Sequence, residues 1–485
     1  MRHSHFIGIG GIGMSAIAQV LLARGERVSG SDLVASQVTR RLEALGAQVT
    51  IGHDPGAAQG AERVVLSDAI RPDNPELAWA REHQIEVVRR SQVLAEIMRA
   101  LRGIAIAGSH GKTTTSGMVA LILERAGLDP TALLGGELPA FGGNARAGRG
   151  DLVVAEACEA YNSFLDLEPE IAVITNIEAD HLDFHGTLEA LTARFREFLG
   201  RIRPGGCAVL GADDATLRGW ARELGGRALT FGLDSPADFA ARAIEPRGFA
   251  TEFEAVHRGT TLGRVRVGAP GRHNVANAIC ALAVALRAGV PFSTASAALA
   301  EFRGMKRRFE VVTEAAGITV VDDYAHHPTE IRATLATARP LCRGRLIAVF
   351  QPHLFSRTQF LLDDFARAFG DADRVIVTEI YPAREDPIPG VTGELLARRL
   401  RELAPGKEVD FIAPKQRIAE TLAPHLRPGD WVLTLGAGPV DSVAADLSQQ
   451  LSQPGAPTGS GRVAGSNRRG GPEGLGAEGG HRVRH

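Results

Sequence analysis

The chain has 485 residues, enough for several domains, and 44% of them are hydrophobic, which suits packed cores rather than a disordered or fibrous chain. Its 54 Lys and Arg nearly balance 56 Asp and Glu, so no global field argues for nucleic acid or a membrane as partner. Cys158, Cys207, Cys280 and Cys342 show no C-x-x-C spacing, no apolar run reaches membrane-spanning length, and no signal-peptide layout opens the chain. A cytoplasmic protein without a zinc site or disulfide framework is expected.

Residues 1–101 alternate short apolar runs (His5–Ile9, Arg27–Ser29, Val49–Ile51, Val64–Ser67, Glu86–Val88) with helical stretches. This predicts a parallel sheet with helices on its faces. Gly8-Ile9-Gly10-Gly11-Ile12-Gly13 lies between the strand His5–Ile7 and a helix over Met14–Arg24, and Asp32 follows 19 residues past Gly13. Glycines so placed let a backbone approach a diphosphate, and such an acid meets a ribose hydroxyl. The pattern specifies a diphosphate beside a nucleoside, not necessarily a nicotinamide. A glycine turn for tight strand–helix packing is the other reading.

The second block, residues 102–310, opens with the strand Ile104–Ala107, the loop Gly108-Ser109-His110-Gly111-Lys112-Thr113-Thr114-Thr115 and a helix over Ser116–Arg125. Strand, glycine loop and helix in this order present free backbone N–H groups and a helix N-terminus to phosphates. Lys112 is expected to reach the β/γ-phosphates of ATP and the Thr113 hydroxyl to hold Mg²⁺. The usual four residues between the glycines are two here, and Ile106 stands where the first glycine would fall. A helix-capping glycine turn is the alternative. Lys112 is one of only four lysines in the chain, which makes it conspicuous.

Further along, the strand Leu152–Ala155 ends at Glu156, an acid placed to approach Mg²⁺. Ile171–Thr175 runs into Asn176-Ile177-Glu178-Ala179-Asp180-His181. His181 is a second candidate ligand, although imidazole is softer than Mg²⁺ usually prefers. Gly271-Arg272-His273-Asn274-Val275-Ala276-Asn277 opens an Ala-rich helix, Ala278–Ala288. Asn274 reads equally as a helix cap and as a reader of adenine edges.

A third block, residues 311–451, alternates again through Ile318–Val321, Leu346–Phe350, Arg374–Thr378, Val409–Ile412 and Trp431–Leu435. Residues 452–485 are Gly-, Pro-, Ser- and Arg-rich without hydrophobic period, and disorder is expected there.

Taken in order, these motifs resemble the Mur ligases. The resemblance runs over about residues 3–445, through His5 to Ser15, the 108–115 loop, Asn176 to Asp183, Gly271 to Asn277, Gly304-Met305-Lys306-Arg307-Arg308-Phe309, Asp322-Asp323-Tyr324-Ala325-His326-His327-Pro328 and Phe350-Gln351-Pro352-His353. It implies an α/β fold of three domains: an N-terminal Rossmann-like domain for a UDP substrate, a central P-loop ATPase-type domain, and a C-terminal Rossmann-like domain for an amino acid. It further implies that Gly10, Gly11, Ile12, Gly13, Ser31 and Asp32 hold the UDP part. Gly108, Ser109, His110, Gly111, Lys112, Thr113 and Thr114 would bind the ATP phosphates, with Arg308 approaching them, and Asn274 and Asn277 would lie against adenine. Thr113, Glu156 and His181 would hold Mg²⁺. Asp323 and His326 would close over the nucleotide and the reacting centre, Tyr324 and His326 would contact the substrate, and His353 and Arg357 would place the amino acid.

The absence of any lysine between Lys112 and Lys306 fits the branch adding L-alanine to UDP-N-acetylmuramate, since other branches use a carbamylated lysine in that region. Gly8-Ile9-Gly10-Gly11 argues against the peptide-recycling branch, which has a Gly-Ile-Cys-Gly type loop. Glu156-Ala157-Cys158-Glu159-Ala160-Tyr161 departs from the common Glu-Ala-Asp-Glu-Ser-Asp, and Leu354 replaces an arginine of many relatives. The implied reaction makes an acyl phosphate at the lactyl carboxylate, which the alanine amine attacks with help from His326. Closure of the third block about a hinge near Gly304 excludes water. A monomer or weak homodimer is expected. The rival readings are a recycling ligase of the same family, a dehydrogenase built on the first loop alone, and a non-catalytic UDP-sugar-binding protein.

Overall fold

The computed structural model describes residues 2–67 and 70–452. The tail expected to be disordered lies, beyond Ser452, outside the described residues.

Three sheets follow one another. In the first, β1 (His3–Ile7), β2 (Arg27–Asp32), β3 (Gln48–Ile51), β4 (Arg63–Leu66) and β5 (Glu86–Arg89) pair in the order 3-2-1-4-5, all parallel. The order reverses beside β1, so the first glycine loop opens at the switch point where α/β sheets bind ligands.

The second sheet has ten strands: β6 (Arg102–Ala107), β7 (Thr131–Leu138), β8 (Gly143–Arg146), β9 (Leu152–Glu156), β10 (Ile171–Ile174), β11 (Cys207–Gly211), β12 (Ala228–Gly232), β13 (Phe239–Arg247), β14 (Ala250–His257) and β15 (Thr260–Val267). Their order is 15-14-13-12-11-10-6-9-7-8. The strand β6 is central, flanked by β9 and β10, so the phosphate loop, Glu156 and the 175–181 segment leave the same sheet edge side by side. Sequence reading missed the meander β13–β15. Its outer face carries Glu252, Glu254, Arg264 and Arg266, which break up the apolar run that marks a buried strand.

The third sheet joins β16 (Glu310–Ala315), β17 (Ile318–Asp323), β18 (Leu346–Phe350), β19 (Arg374–Val377), β20 (Glu408–Phe411) and β21 (Trp431–Leu435) in the order 16-17-21-18-19-20. Only β16 runs antiparallel to its neighbour.

Two helices differ from expectation. The helix after the phosphate loop is Lys112–Arg125, so Lys112 and the threonines form its first turn. The later helix is Arg272–Arg287, and Gly271, at φ +98°, stands at its N-cap. The reading of Asn274 as a helix cap is therefore corrected. Its amide donates instead to the Pro270 carbonyl at 2.7 Å and its oxygen accepts from Asn277 at 3.3 Å.

One apolar core passes without a break from the first sheet into the second: Ile17, Leu21 and Leu94 share it with Leu133, Ala145 and Phe164. The third sheet has cores of its own on each face. The linker between them contains Gly304 at φ +88°.

Candidate active site

The phosphate loop is pinned from below by residues 175–178. The Thr175 hydroxyl donates to the His110 carbonyl at 2.6 Å, Asn176 Oδ1 accepts from His110 N–H at 2.8 Å, and Ser109 Oγ accepts from Glu178 N–H at 2.8 Å. Gly108 sits at φ +125°, and a Cβ there would stand 2.0 Å from Thr175 Oγ1; Gly111 sits at φ +84°, with Asn277 Oδ1 2.5 Å from its would-be Cβ. Both positions therefore require glycine. Lys112 Nζ donates to the carbonyls of Gly108 (2.5 Å) and Ser109 (3.0 Å) and to Glu159 Oε1 (2.9 Å). Burial alone would lower its pKa, but the Glu159 charge leads a set of neighbours that raises it above the ordinary lysine value.

The Thr113 hydroxyl donates to Glu156 Oε2 at 2.7 Å, so the expected metal ligands of helix and strand already meet. His181, at φ +54°, has Nε2 3.9 Å from Glu159 Oε1 and 3.9 Å from Asp180 Oδ2. Glu159 Oε2 is buried and has no hydrogen-bond partner. The Thr113 hydroxyl against the Glu156 carboxylate, together with an unsatisfied Glu159 oxygen, offers hard oxygens of the kind a Mg²⁺-sized cation takes.

A cavity of about 250 Å³ lies between the second and third sheets, lined by His110, Gly111, Thr113, Thr114, Asn274, Asn277, Arg308 and Asp323, all of them predicted nucleotide contacts. The Asp323 carboxylate accepts the backbone N–H groups of Phe309 (2.7 Å) and Ala325 (2.8 Å). Burial pushes its pKa up to about 6. It thus fixes the turns carrying Arg308 and His326. Tyr324 lies under both Arg307 and Arg308, whose guanidinium carbons are 5.1 and 5.0 Å from its ring centroid.

His326 Nδ1 donates to the Tyr324 carbonyl at 2.9 Å with Glu330 Oε2 also 3.2 Å away, which leaves the Nε2 lone pair as the basic position. Burial lowers the His326 pKa to about 4 and the His353 pKa to about 3, so both rings are neutral at pH 7. Arg357 does not stand alone as a carboxylate binder. Its Nη2 donates to Asp180 Oδ1 at 2.5 Å and its Nη1 meets His353 Nδ1 at 3.3 Å.

At the first loop, Gly10, Gly11, Ile12 and Gly13 lie at the sheet's switch point, Ile12 being exposed. Asp32 Oδ2 accepts Gly10 N–H at 2.9 Å, tying the loop to β2. Ser31 is fully buried and its hydroxyl pairs with His53 Nδ1 at 3.0 Å, so the structure sets it beneath the loop rather than on the ligand-facing surface. A second cavity, of about 210 Å³, runs from Ile12 and Gly13 past Arg90 to Glu156 and Cys158.

Sequence reading missed several groups here. Arg90 overlies Gly13, where a Cβ would stand 2.6 Å from its Nη1. Glu178 and Glu330 grip His110 from opposite domains, at 3.3 and 3.2 Å. Burial would lower the His110 pKa, but these two carboxylates push it up to about 10; the His110 bond in turn leads the fall of Glu178 to about 2. Asp180 is 5% exposed and is missed as well. These contacts join residues distant in sequence, and no local motif carries them.

Comparison with known proteins agrees with this geometry. Three family models match in succession: the Mur ligase family catalytic domain at residues 3–102, the Mur ligase middle domain at 106–285 and the Mur ligase glutamate ligase domain at 307–438. UDP-N-acetylmuramate–L-alanine ligase of Geobacter sp. (strain M21) is 48% identical over 448 residues, covering 92% of this chain and 97% of that relative. The ligase of the same name from Symbiobacterium thermophilum is 48% identical over 475 residues, 96% of this chain and 98% of its own. Among solved structures, the UDP-N-acetylmuramate–alanine ligase of Thermotoga maritima superposes with a TM-score of 0.80 at 29% identity, covering 93% of this chain and 99% of that one. A murein peptide ligase from Psychrobacter arcticus gives 0.69 at 26% identity, over 93% and 98%. The fold and site define a three-domain α/β ligase that uses ATP to form amide bonds. The chain belongs to the Mur ligase family.

Proposed function

We propose that this enzyme joins L-alanine to the lactyl carboxylate of UDP-N-acetylmuramate, converting ATP to ADP and phosphate, as a cytoplasmic step of peptidoglycan synthesis carried out by a monomer or weak homodimer. The observation that carries this reading is the cavity from Gly13 to Glu156, which leads from the UDP loop to the phosphate end of the ATP site. The acceptor and donor names come from relatives about half identical over nearly their whole length.

A carboxylate resists amine attack because oxide is a very poor leaving group. Transfer of the γ-phosphoryl of ATP to one carboxylate oxygen gives an acyl phosphate, and phosphate then leaves. Lys112, freed from the Gly108 and Ser109 carbonyls, would follow the charge spread over the transferring group. Thr113, Glu156 and His181 would hold Mg²⁺, with Glu159 beside them; the ion, when bound, neutralises phosphate charge. Arg308 would approach the phosphates, while Asn274 and Asn277 lie against the base. The neutral His326 presents Nε2 to take a proton from the alanine ammonium or from the adduct formed by attack at the acyl carbon. Asp323 holds that histidine's turn in place. Closure of the third domain about Gly304 keeps water from the acyl phosphate.

The test is interception. With ATP, Mg²⁺ and UDP-N-acetylmuramate but no amino acid, hydroxylamine should yield the hydroxamate of the sugar nucleotide, and Lys112→Ala should yield none. Absence of hydroxamate from an enzyme that still releases ADP with alanine would overturn the acyl-phosphate route.

A further inference from the structure

Among the described residues, His110, Glu178 and His327 each bring one ligand atom within 4.8 Å of the other two. His110 Nε2 is 3.3 Å and His327 Nδ1 3.9 Å from the same oxygen, Glu178 Oε2. That oxygen also accepts the Thr329 hydroxyl at 2.7 Å, which holds it in place. The two imidazole rings lie 4.9 Å apart between centroids, tilted by 42°. His110 and Glu178 belong to the second domain and His327 to the third, so the cluster spans their interface. His110 and Glu178 also line the cavity of about 250 Å³, which gives small solutes a way in.

Hydrogen bonding does not account for the third imidazole. His327 stands at the N-cap of the helix Pro328–Ala338, where its Nδ1 accepts Thr329 N–H at a long 3.3 Å. Ser, Thr, Asp and Asn cap helices with smaller side chains. The His327 Nε2 is buried and has no hydrogen-bond partner. His110 is held differently: its Nδ1 lies 3.2 Å from Glu330 Oε1 while its Nε2 is turned to Glu178. A metal-binding histidine almost always gives its other ring N–H to a carboxylate, a carbonyl or water, which fixes ring and tautomer. Glu330 already stands in that place. Two imidazoles and a carboxylate are a donor set for Zn²⁺, whereas Mg²⁺ takes hard oxygens. Around a tetrahedral Zn²⁺ with bonds of about 2.1 Å, ligand atoms stand about 3.4 Å apart, so the longest separation here has to shorten by no more than about 1.5 Å. The set contains no cysteine, so cysteine spacing gives no sign of it.

We propose that His110, Glu178 and His327 form a binding site for a Zn²⁺-type dication, which clasps the third domain to the second and inhibits the enzyme. The ion takes His110 Nε2, Glu178 Oε2 and His327 Nδ1 as ligands, with water in the fourth position. The proton on His110 Nε2 goes to solvent, and the long Thr329 N–H contact to His327 is given up. With the ion in place the third domain is held over the nucleotide cavity, so nucleotide exchange stops. The site shares no residue with Thr113, Glu156 and His181, and it does not depend on which amino acid the enzyme takes.

The experiment is calorimetric titration of Zn²⁺ into the nucleotide-free, full-length enzyme under excess Mg²⁺, repeated for His327→Asn and Glu178→Gln. Asn keeps a helix cap and Gln keeps the shape of Glu, and melting temperatures check that each variant folds. Each variant should weaken one Zn²⁺ site about 100-fold, since a direct ligand counts for at least as much as the roughly 10- to 100-fold of a supporting partner. Zn²⁺ should inhibit ADP release by the unaltered enzyme over the concentration range in which it binds, and His327→Asn should need about 100-fold more. Co²⁺ in place of Zn²⁺ should show the visible bands of a four-coordinate nitrogen–oxygen site, without thiolate-to-metal charge transfer. Equal Zn²⁺ affinity in the parent and both variants would overturn the proposal, as would Co²⁺ held by thiolate. Inhibition of His327→Asn at the parent's Zn²⁺ concentration would overturn the clasp.

Discussion

Lys112 reaches two loop carbonyls and the fully buried Glu159, so removal of its ammonium has two consequences. Lys112→Ala should cut ADP release by about 10³-fold, as expected when a preorganised charge at a transferring phosphoryl is lost. It should also destabilise the fold by about 3–5 kcal/mol, because a buried carboxylate is left without its cation. Coupled-enzyme assay and denaturant titration read the two effects separately; near-normal turnover would contradict the phosphate assignment. Gly108→Ala should behave differently, since its Cβ would meet both Thr175 Oγ1 at 2.0 Å and the Thr175 backbone nitrogen at 2.8 Å. Loss of thermal stability is expected before any specific loss of ATP affinity, and a melting temperature equal to the parent's would contradict the packing. Lys112 was legible because a glycine loop after a buried strand is a local pattern. Glu159 was not, because its approach to Lys112 depends on the turn at Ala160–Asp166, whose left-handed Tyr161 no propensity announces.

Elements place the chemistry by register. The strands β6 and β9 pair with Ile106 opposite Glu156, so the acid ends beside the loop that begins two residues later. The helix Lys112–Arg125 then brings Thr113 to within 2.7 Å of that acid. Thr113→Val keeps shape and removes the hydroxyl; the Mg²⁺ concentration needed for half-maximal ADP release should rise about tenfold or more. An unchanged Mg²⁺ requirement would sink the assignment of Thr113 as a ligand. Buried parallel strands such as β6, β10 and β18 were plain in the sequence as continuous apolar runs: the observed bounds of β18 coincide with those read, and those of β6 and β10 differ by two residues and one. The strands β7, β8 and β13–β15, towards the two ends of the second sheet, were not, because one face of each carries charge or glycine. The start of the helix at Lys112 was also misplaced. Threonines read as loop residues, yet here they are buried in the first turn, whose N–H groups have no intrahelical partner.

At the scale of the whole molecule the two interfaces differ in kind. The first domain shares a continuous apolar core with the second, whereas the third meets the second largely through ion pairs and hydrogen bonds: Arg357 with Asp180, His110 with Glu330, and the Thr329 hydroxyl with Glu178 at 2.7 Å. Polar interfaces are the ones expected to open, which makes the third domain the candidate moving part. His110 is pushed up to about 10 with Glu178 and Glu330 both against it, and loss of Glu330 on opening would let it fall back towards the ordinary histidine value of about 6.5, while Glu178 is pushed down to about 2. The contact is therefore at full strength between the ordinary carboxylate pKa and about pH 6.5, and it weakens as pH climbs towards 10. Small-angle scattering without nucleotide should give a larger radius of gyration at pH 10 than at pH 6; equal radii would contradict the latch. None of these cross-domain pairs was legible, since each joins groups more than a hundred residues apart. The central claim is tested most directly by ADP release from the purified enzyme with Mg²⁺, ATP and UDP-N-acetylmuramate, comparing L-alanine, glycine, L-serine and the stem tripeptide. Release that requires both the sugar nucleotide and L-alanine is predicted; release only with the tripeptide, or with no acceptor at all, would contradict the account.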